Sequence, residues 1–195
     1  TQLQSGSLAM SLLKYIPSTS EEMKTYIKQF LFDLIAHEVG HTLGLRHNFH
    51  GSTLRTTEEL NNIELTRNYG SVGSVMDYTA VNLAPSGIVQ GDYYPTTIGP
   101  YDYWAIEYGY KPSGKVFPAH EKEFLKQIAQ RAPEPELAYG TDEDLWNFED
   151  PQIEVYDLGK DSLNYATVQM ENARLMIKEL ENYYPSKHET YSDIR

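Results

Sequence analysis

The sequence predicts a mainly α-helical protein. Apolar residues recur at helical spacing over 20–43 and over 162–182. A shorter aromatic helix is predicted over 99–110, with Pro100 at its first turn and Gly109 at its stop. With 195 residues, of which 40% are hydrophobic, the chain is long and apolar enough to bury a core.

The composition excludes several classes of function. A net charge of -12 argues against a nucleic-acid partner, because nucleic-acid binding needs a cationic protein surface. It also disfavours binding to anionic lipid. The absence of cysteine excludes disulfides, thiolate metal ligands and cysteine nucleophiles. No apolar run approaches the roughly 20 residues of a membrane span. Because the chain starts at Thr1 in a surface-like stretch, we expect it to be a fragment of a larger protein.

The longest predicted helix covers about 20–43. Residues 1–17 before it are open to interpretation as a short helix or a strand. Ser20 is a candidate N-cap, and acidic residues follow it where the helix dipole favours negative charge. Gly44 is the expected stop. The apolar positions with helical spacing are Met23, Ile27, Phe30, Leu31, Leu34 and Ile35.

The rest of the chain carries weaker patterns. Residues 50–75 are predicted to be irregular apart from a helical turn near Glu58, and an acidic loop is expected over 139–152. Helices are predicted over 118–131 and 162–182. The last has a narrow apolar stripe that we expect to face the core. Its members are Leu163, Ala166, Met170, Ala173, Ile177 and Leu180.

The string HEVGHTLGLRH contains the spacing of a metal site. His37 and His41 are four residues apart, so on a helix their Cβ atoms lie about 6 Å apart on one face. Glu38 points to the side, where it can reach a water beside the metal. Gly44 can adopt positive φ and turn the chain, which allows His47 to return as a third ligand. Three protein ligands leave one position open, which is the catalytic pattern.

Chance is a poor explanation of this string. Five specified residues at fixed positions should coincide at roughly one in ten million start points, so a packing-only histidine cluster is remote. Three imidazoles suit zinc better than oxygen-ligated metals, and the two-His, one-carboxylate iron pattern does not match. His50 is close enough in sequence to compete as a ligand, or it can be a surface histidine.

The HExxHxxGxxH string over 37–47 resembles that of the metzincin zinc peptidases. Met76, within SVMDY, resembles the methionine of the tight turn that lies beneath the metal in that family. Its Met-x-Tyr form is similar to the turn of astacins and serralysins, in which the tyrosine can reach the zinc. The string TIGPYDYWAIEYGYKP, from Thr97, further resembles the metzincin-like domain of large bacterial secreted proteins.

The resemblance implies a zinc-dependent endopeptidase with a polypeptide substrate. His37, His41 and His47 would be the Zn²⁺ ligands, Glu38 the general base and Tyr78 a catalytic residue that helps to stabilise the oxyanion. Tyr78 can instead be a buried aromatic residue bonded to backbone. The alternative function is a catalytically inactive, zinc-stabilised binding or structural module of a large secreted protein. The intact Glu38 argues against it.

The resemblance also implies an organisation. Residues 1–110 would form the zinc-binding core, with the active-site helix, the Met-turn and the aromatic helix, and 111–195 a helical C-terminal extension packed on it. Metzincins place a sheet before the active-site helix, but only about 19 residues precede that helix here. We therefore expect a zincin-like C-terminal portion whose N-terminal sheet is largely absent and is supplied by an upstream part of the parent protein. The implied location is secreted or in the cell envelope.

Overall fold

The chain folds as a set of helices joined by irregular segments. A computed structural model describes residues 2–13, 16–17, 19–85, 87–117 and 120–183. No β-strand occurs in these ranges, so the predictions of a mainly α fold and of a missing N-terminal sheet are confirmed. The α-helices are Gln2–Leu13 (α1), Glu21–Thr42 (α2), Thr57–Leu60 (α3), Ile63–Tyr69 (α4), Pro100–Tyr110 (α5), Lys122–Ala129 (α6), Asp142–Asn147 (α7) and Ser162–Tyr183 (α8). Gly51–Leu54 and Pro135–Leu137 are 3₁₀ turns.

Helix α2 carries the main core on one face and confirms the helix predicted over 20–43. The Ser20 hydroxyl accepts a hydrogen bond from the backbone N–H of Met23 at 3.1 Å, which satisfies a free donor of the first turn. Beyond Thr42 the chain leaves the helix and passes through Gly44 at φ +84°. That conformation strains any residue with a Cβ, so the glycine makes the turn possible.

The main core packs against one face of α2. Tyr26 lies at its centre, with ring centroids 5.7 Å from those of both Tyr93 and Tyr94. The irregular segment that supplies these two tyrosines is also hydrogen-bonded to α2, since Gln29 donates to Asp92 at 2.6 Å and accepts from the Tyr93 N–H at 2.7 Å. The buried members of the core are Ala9, Met10, Ile16, Met23, Tyr26, Leu83, Tyr93 and Tyr94.

Helices α1, α5 and α6 lie in three segments for which the sequence offers a helix. Residues 1–17 contain α1, which decides between the two readings of that segment in favour of a helix. The helix predicted over 99–110 is confirmed by α5, with Pro100 in its first turn. The helix predicted over 118–131 appears as α6, beginning at Lys122; residues 118 and 119 lie outside the described part.

Two segments contain more helix than the sequence predicts. The helical turn predicted near Glu58 is present as α3, but the prediction that the rest of 50–75 is irregular is wrong, because it also contains a 3₁₀ turn and α4. Thr56 and Glu59 form a reciprocal capping box that stabilises α3 although it is too short to show a hydrophobic period. The predicted acidic loop over 139–152 likewise contains α7, whose capping box joins Thr141 and Asp144.

Helix α8 is present as predicted, but it presents a different face to the core. Leu163 is 80% exposed and Ile177 is 70% exposed, so the predicted core-facing stripe lies in solvent along its described length. The side chains of Tyr165 and Met176 pack against the two hydrophobic clusters instead. Helix α8 therefore rests on α1 through a face that mixes large apolar with polar residues, which apolar spacing alone does not reveal.

Among the described residues no helix is both long and apolar enough to cross a lipid bilayer. His188, which the sequence places apart from the histidine string, lies outside the described residues.

Candidate metal centre

The histidines of the HExxHxxGxxH string converge on one point. His37 and His41 project from adjacent turns of α2, and His47 returns to them after the turn at Gly44. One ring nitrogen from each of the three lies within 4.8 Å of the others. A Cβ at Gly44 would meet no atom within 4 Å, so this glycine is required for its backbone conformation and not for space.

The second nitrogen of each imidazole has its own acceptor. Nδ1 of His37 lies 2.8 Å from the Val75 carbonyl oxygen, and Nδ1 of His41 lies 3.1 Å from that of Leu45. Nδ1 of His47 lies 2.8 Å from a carboxylate oxygen of Asp142. Because carbonyl and carboxylate oxygens only accept, each Nδ1 carries the proton.

This hydrogen bonding leaves Nε2 of all three rings as an unprotonated lone-pair donor directed at the shared point. A set of neutral imidazoles oriented by oxygen acceptors is the arrangement that zinc sites use. Burial lowers the pKa of His37 below its usual value, which favours the neutral form that binds metal. The residues present therefore fit a zinc ion with three protein ligands.

Tyr78 lies against this donor set. Its hydroxyl is 3.0 Å from Nε2 of His47, and since Nδ1 of that ring donates to Asp142, the phenol is the donor here. The Tyr78 ring also stacks on His37 with centroids 5.3 Å apart. Burial raises the pKa of Tyr78, so the hydroxyl keeps its proton at neutral pH. The alternative of a backbone-bonded aromatic does not describe this contact.

Glu38 stands at the edge of the site. Its side chain is exposed, and it lines a pocket together with His37 and Tyr78. The carboxylate of Glu38 is not part of the group of ligand atoms. This is the placement expected of a group that moves protons beside a metal and does not bind it.

Met76 lies beneath the histidines and is fully buried. A Cβ added to Gly40 would come within 2.2 Å of the Met76 sulfur, so the thioether fills the space that a side chain on α2 would occupy. Gly40 lies between the first two histidines of the string. The sequence motif leaves that position free, and sequence reasoning did not single it out.

The turn that carries Met76 is fixed by a buried carboxylate from α5. Asp102 accepts hydrogen bonds from the Ser74 hydroxyl at 2.6 Å, the Val75 N–H at 2.9 Å and the Gly99 N–H at 2.8 Å. Ser74 Oγ in turn accepts from the Met76 N–H at 3.0 Å. Since the Val75 carbonyl binds His37, Asp102 positions a metal-site histidine through one residue of backbone.

Residues far along the chain complete the site. The Asn48 amide donates to the Ala138 carbonyl at 3.0 Å and accepts from the Gly140 N–H at 3.1 Å. The N–H of Phe49 donates to the Gly140 carbonyl at 2.7 Å. These bonds hold the segment before α7 against the histidines and bring Asp142 to His47. Sequence reasoning missed both Asn48 and Asp142.

His50 does not join the group. Its Nδ1 is hydrogen-bonded to the Thr53 hydroxyl at 2.9 Å, and the cluster of candidate ligands among the described residues contains only the three histidines of the string. A cavity of about 630 Å³ adjoins His50, but its mixed-charge lining, with Arg55 and Glu136, does not include the metal-site histidines.

We expect Asp142→Ala to lower zinc affinity about 10–100-fold, because His47 then loses the carboxylate that fixes its proton on Nδ1. Competition with a fluorescent zinc chelator measures the effect. Glu143→Ala is the matched control, since Glu143 binds Arg46 at 2.7 Å and no histidine. Equal zinc affinity in the two variants would contradict the orienting role of Asp142.

The converging imidazoles, the adjoining glutamate and the buried methionine define a metzincin-like domain. Comparison with known families agrees: a family model described as Met-zincin matches residues 19–195, and the chain belongs to that family. A search of curated proteins and a search of solved structures each give no match.

Proposed function

We propose that the domain is a zinc-dependent endopeptidase that hydrolyses peptide bonds with an activated water. One observation carries the proposal. Three histidines direct Nε2 at one point while an oxygen atom accepts from each Nδ1, and Glu38, which follows His37, is not part of the ligand group. A site that served only to stabilise the fold would have no use for an exposed Glu38 facing a pocket.

The roles of the residues follow from their positions. Bound zinc would supply a Lewis acid that activates water and polarises the substrate carbonyl. His37, His41 and His47 would hold the ion as neutral ligands. Glu38 takes the proton of the attacking water and passes it to the leaving amine. Its carboxylate is exposed and lines the pocket beside His37, where a base can meet both the water and the leaving amine.

Tyr78 is proposed as a donor to the substrate. Its hydroxyl points at the metal site, lies 3.0 Å from His47 Nε2 and keeps its proton. A phenol there can donate a hydrogen bond to the carbonyl oxygen as negative charge develops on it. A zinc ion held by His47 would use the Nε2 lone pair that now accepts from Tyr78, and the hydroxyl would then be free for the substrate.

The outer face of α2 supports the proposal that an upstream part of the parent protein completes the domain. Ile35 is 60% exposed and Val39 is 48% exposed, although both lie on the helix whose other face carries the main core. A contiguous patch of exposed large apolar side chains marks a surface that another element normally covers. A groove of about 280 Å³ beside it is lined largely by apolar side chains, among them Phe32, Ile98 and Ile106. The zincin sheet is the proposed cover, and it would also hold a polypeptide substrate by strand addition.

The location outside the cytoplasm remains a prediction of the family resemblance. The net charge of -12 is compatible with it and continues to argue against a nucleic-acid partner.

Metal removal tests the proposed function. We expect the parent protein that contains this chain to purify with about one zinc per chain, to cleave a casein-type substrate, and to lose cleavage with 1,10-phenanthroline. Added zinc should restore it. A parent protein that binds zinc and melts at lower temperature without it, yet cleaves nothing, would favour the zinc-stabilised structural module instead.

A further inference from the structure

Tyr156 has a backbone conformation that its residue type disfavours. Its φ is +64°, in the left-handed region, where the Cβ of a bulky residue crowds the following carbonyl oxygen. In the described part of the chain Phe148 is the one other non-glycine residue with a positive φ. Such conformations persist where the surrounding structure enforces them, and they concentrate at functional sites. Tyr156 contacts the candidate metal centre through Tyr78, so its conformation has a candidate function there.

The chain is anchored on both sides of Tyr156. Ile153, three residues before it, is buried, and so is Asp157, which follows it directly. The N–H of Tyr156 itself donates to the carbonyl oxygen of Tyr78 at 2.9 Å. These contacts fix the backbone of Tyr156, so the residue keeps its disfavoured conformation and its side chain stays beside Tyr78. A glycine or an asparagine would adopt this φ more readily, so the presence of a tyrosine here needs a reason in its ring.

The ring of Tyr156 stacks on the ring of Tyr78. Their centroids are 5.9 Å apart and their planes differ by 15°, which is a favourable, nearly parallel arrangement. Tyr78 also contacts the rings of His37, His47 and Phe49, with centroids 4.8 to 5.3 Å away. Of these four neighbours only Tyr156 is exposed, at 52%. It is therefore the contact that covers Tyr78, which is itself 37% exposed, on its solvent side.

The hydroxyl of Tyr78 needs support other than its own hydrogen bond. That hydroxyl donates to Nε2 of His47 at 3.0 Å. The same nitrogen belongs to the group of candidate metal-ligand atoms, so the nitrogen cannot accept from Tyr78 and bind a metal at once. The ring contacts do not use this lone pair and persist in both conditions. Without them, a partly exposed tyrosine turns about χ1 among staggered rotamers, most of which carry the hydroxyl away from the site.

We propose that Tyr156 is a positioning residue, which holds Tyr78 in the rotamer that directs its hydroxyl at the metal site. The inference rests on the proposed peptidase function for its catalytic consequence, but the rotamer of Tyr78 can be measured without catalysis. Tyr156 acts only through Tyr78. Its aromatic ring carries the role and its hydroxyl does not, because stacking needs only the ring. The strained backbone at Tyr156 is what presents that ring to Tyr78.

NMR of tyrosine-labelled protein measures the rotamer of Tyr78 directly, and Tyr78→Phe identifies its signals by their loss. Three-bond couplings about the Cα–Cβ bond should show one dominant χ1 rotamer, both in the metal-free protein and after zinc is added. In Tyr156→Gly the couplings should average over several rotamers, because the covering ring is gone while glycine accepts the positive φ. Tyr156→Phe keeps the ring and should keep the single rotamer.

Phe148→Gly is the matched control, since Phe148 is also aromatic, has φ +54° and is 78% exposed, but is not among the rings that contact Tyr78. Its Tyr78 couplings should match those of the unmodified protein. Both glycine variants relieve backbone strain, so we expect melting temperatures within about 4 °C of the unmodified protein. Tyr156→Asn, which tolerates the same φ without an aromatic ring, repeats the test if the glycine variant melts lower. A single Tyr78 rotamer in these variants, or equal averaging in Phe148→Gly, would overturn the inference.

Kinetics of the full parent protein separate this inference from the proposed function. On a peptide substrate, Tyr156→Gly should lower kcat about tenfold and change KM by less than about twofold, because a donor used in the transition state is misplaced. In a Tyr78→Phe background the same substitution should have no further effect on kcat. Additive losses from the two substitutions would overturn the inference and leave the peptidase standing. Averaged Tyr78 couplings in Tyr156→Gly without cleavage by any of the proteins would do the reverse.

Discussion

Glu38→Gln should reduce peptide cleavage by the parent protein about 10²–10⁴-fold and leave its zinc content unchanged. Glutamine keeps the shape of the side chain but cannot accept the proton of the attacking water. Zinc should remain because Glu38 contributes no atom to the group of converging ligands. Initial rates on a casein-type substrate and elemental analysis of the same preparation measure the two effects.

Glu64→Gln provides the comparison for this variant, since Glu64 is an exposed acid on α4 that lines no part of the candidate site. Its cleavage rate should match that of the unmodified protein. Cleavage by Glu38→Gln at the unmodified rate, or no cleavage by either protein, would remove the peptidase function.

Asp102→Ala should destabilise the domain by about 3 kcal/mol or more, the largest effect on stability that we expect from a single substitution. It leaves the Ser74 hydroxyl and the N–H groups of Val75 and Gly99 without their acceptor, and each unmet donor in a buried site costs about 1–3 kcal/mol. Relief of the buried charge offsets part of this loss, because burial raises the pKa of Asp102. Urea denaturation of the metal-free protein gives the difference in unfolding free energy.

Glu59→Ala is the control for Asp102→Ala. Both residues occupy the third position of a helix and accept the N–H of the residue that caps it. Asp102 also accepts from the Ser74 hydroxyl and the Val75 N–H, whereas Glu59 accepts only from Thr56 among the described hydrogen bonds. Its loss should cost about 1 kcal/mol. Similar costs for the two variants would show that Asp102 acts as an ordinary cap and does not fix the Met-turn.

The parts of the site that the sequence could predict are those with a fixed local spacing. His37 and His41 are one helical turn apart, and Gly44 predicts the turn of the chain that brings His47 back to them. The acceptors of the three Nδ1 atoms have no such pattern. Two are backbone carbonyls, which every residue carries, and the third comes from Asp142, 95 residues beyond its histidine.

The fold shows the same division. Helices α2 and α5 follow their predicted bounds closely because Ser20 and Gly44 mark the ends of α2 and Pro100 marks the start of α5. The predicted stop at Gly109 is wrong, because α5 continues through it to Tyr110. The apolar stripe of α8 did not predict its buried face. Apolar spacing shows that a helix has an apolar face, but it does not show whether a neighbouring element covers that face. Gly40 shows a further limit, since its necessity arises only from the sulfur of Met76 across the turn.

The hydrogen bond from His47 to Asp142 also closes a very long loop of chain. This bond, the amide of Asn48 and the ion pairs of Arg46 with Asp142 and Glu143 hold the 138–143 stretch to the active-site turn. By holding His47 in place, bound zinc would therefore stabilise the contact between two regions that are distant in sequence. Zinc occupancy would therefore change how often the region around α7 opens locally. Local opening of a stretch that is remote in sequence would then report whether zinc is bound.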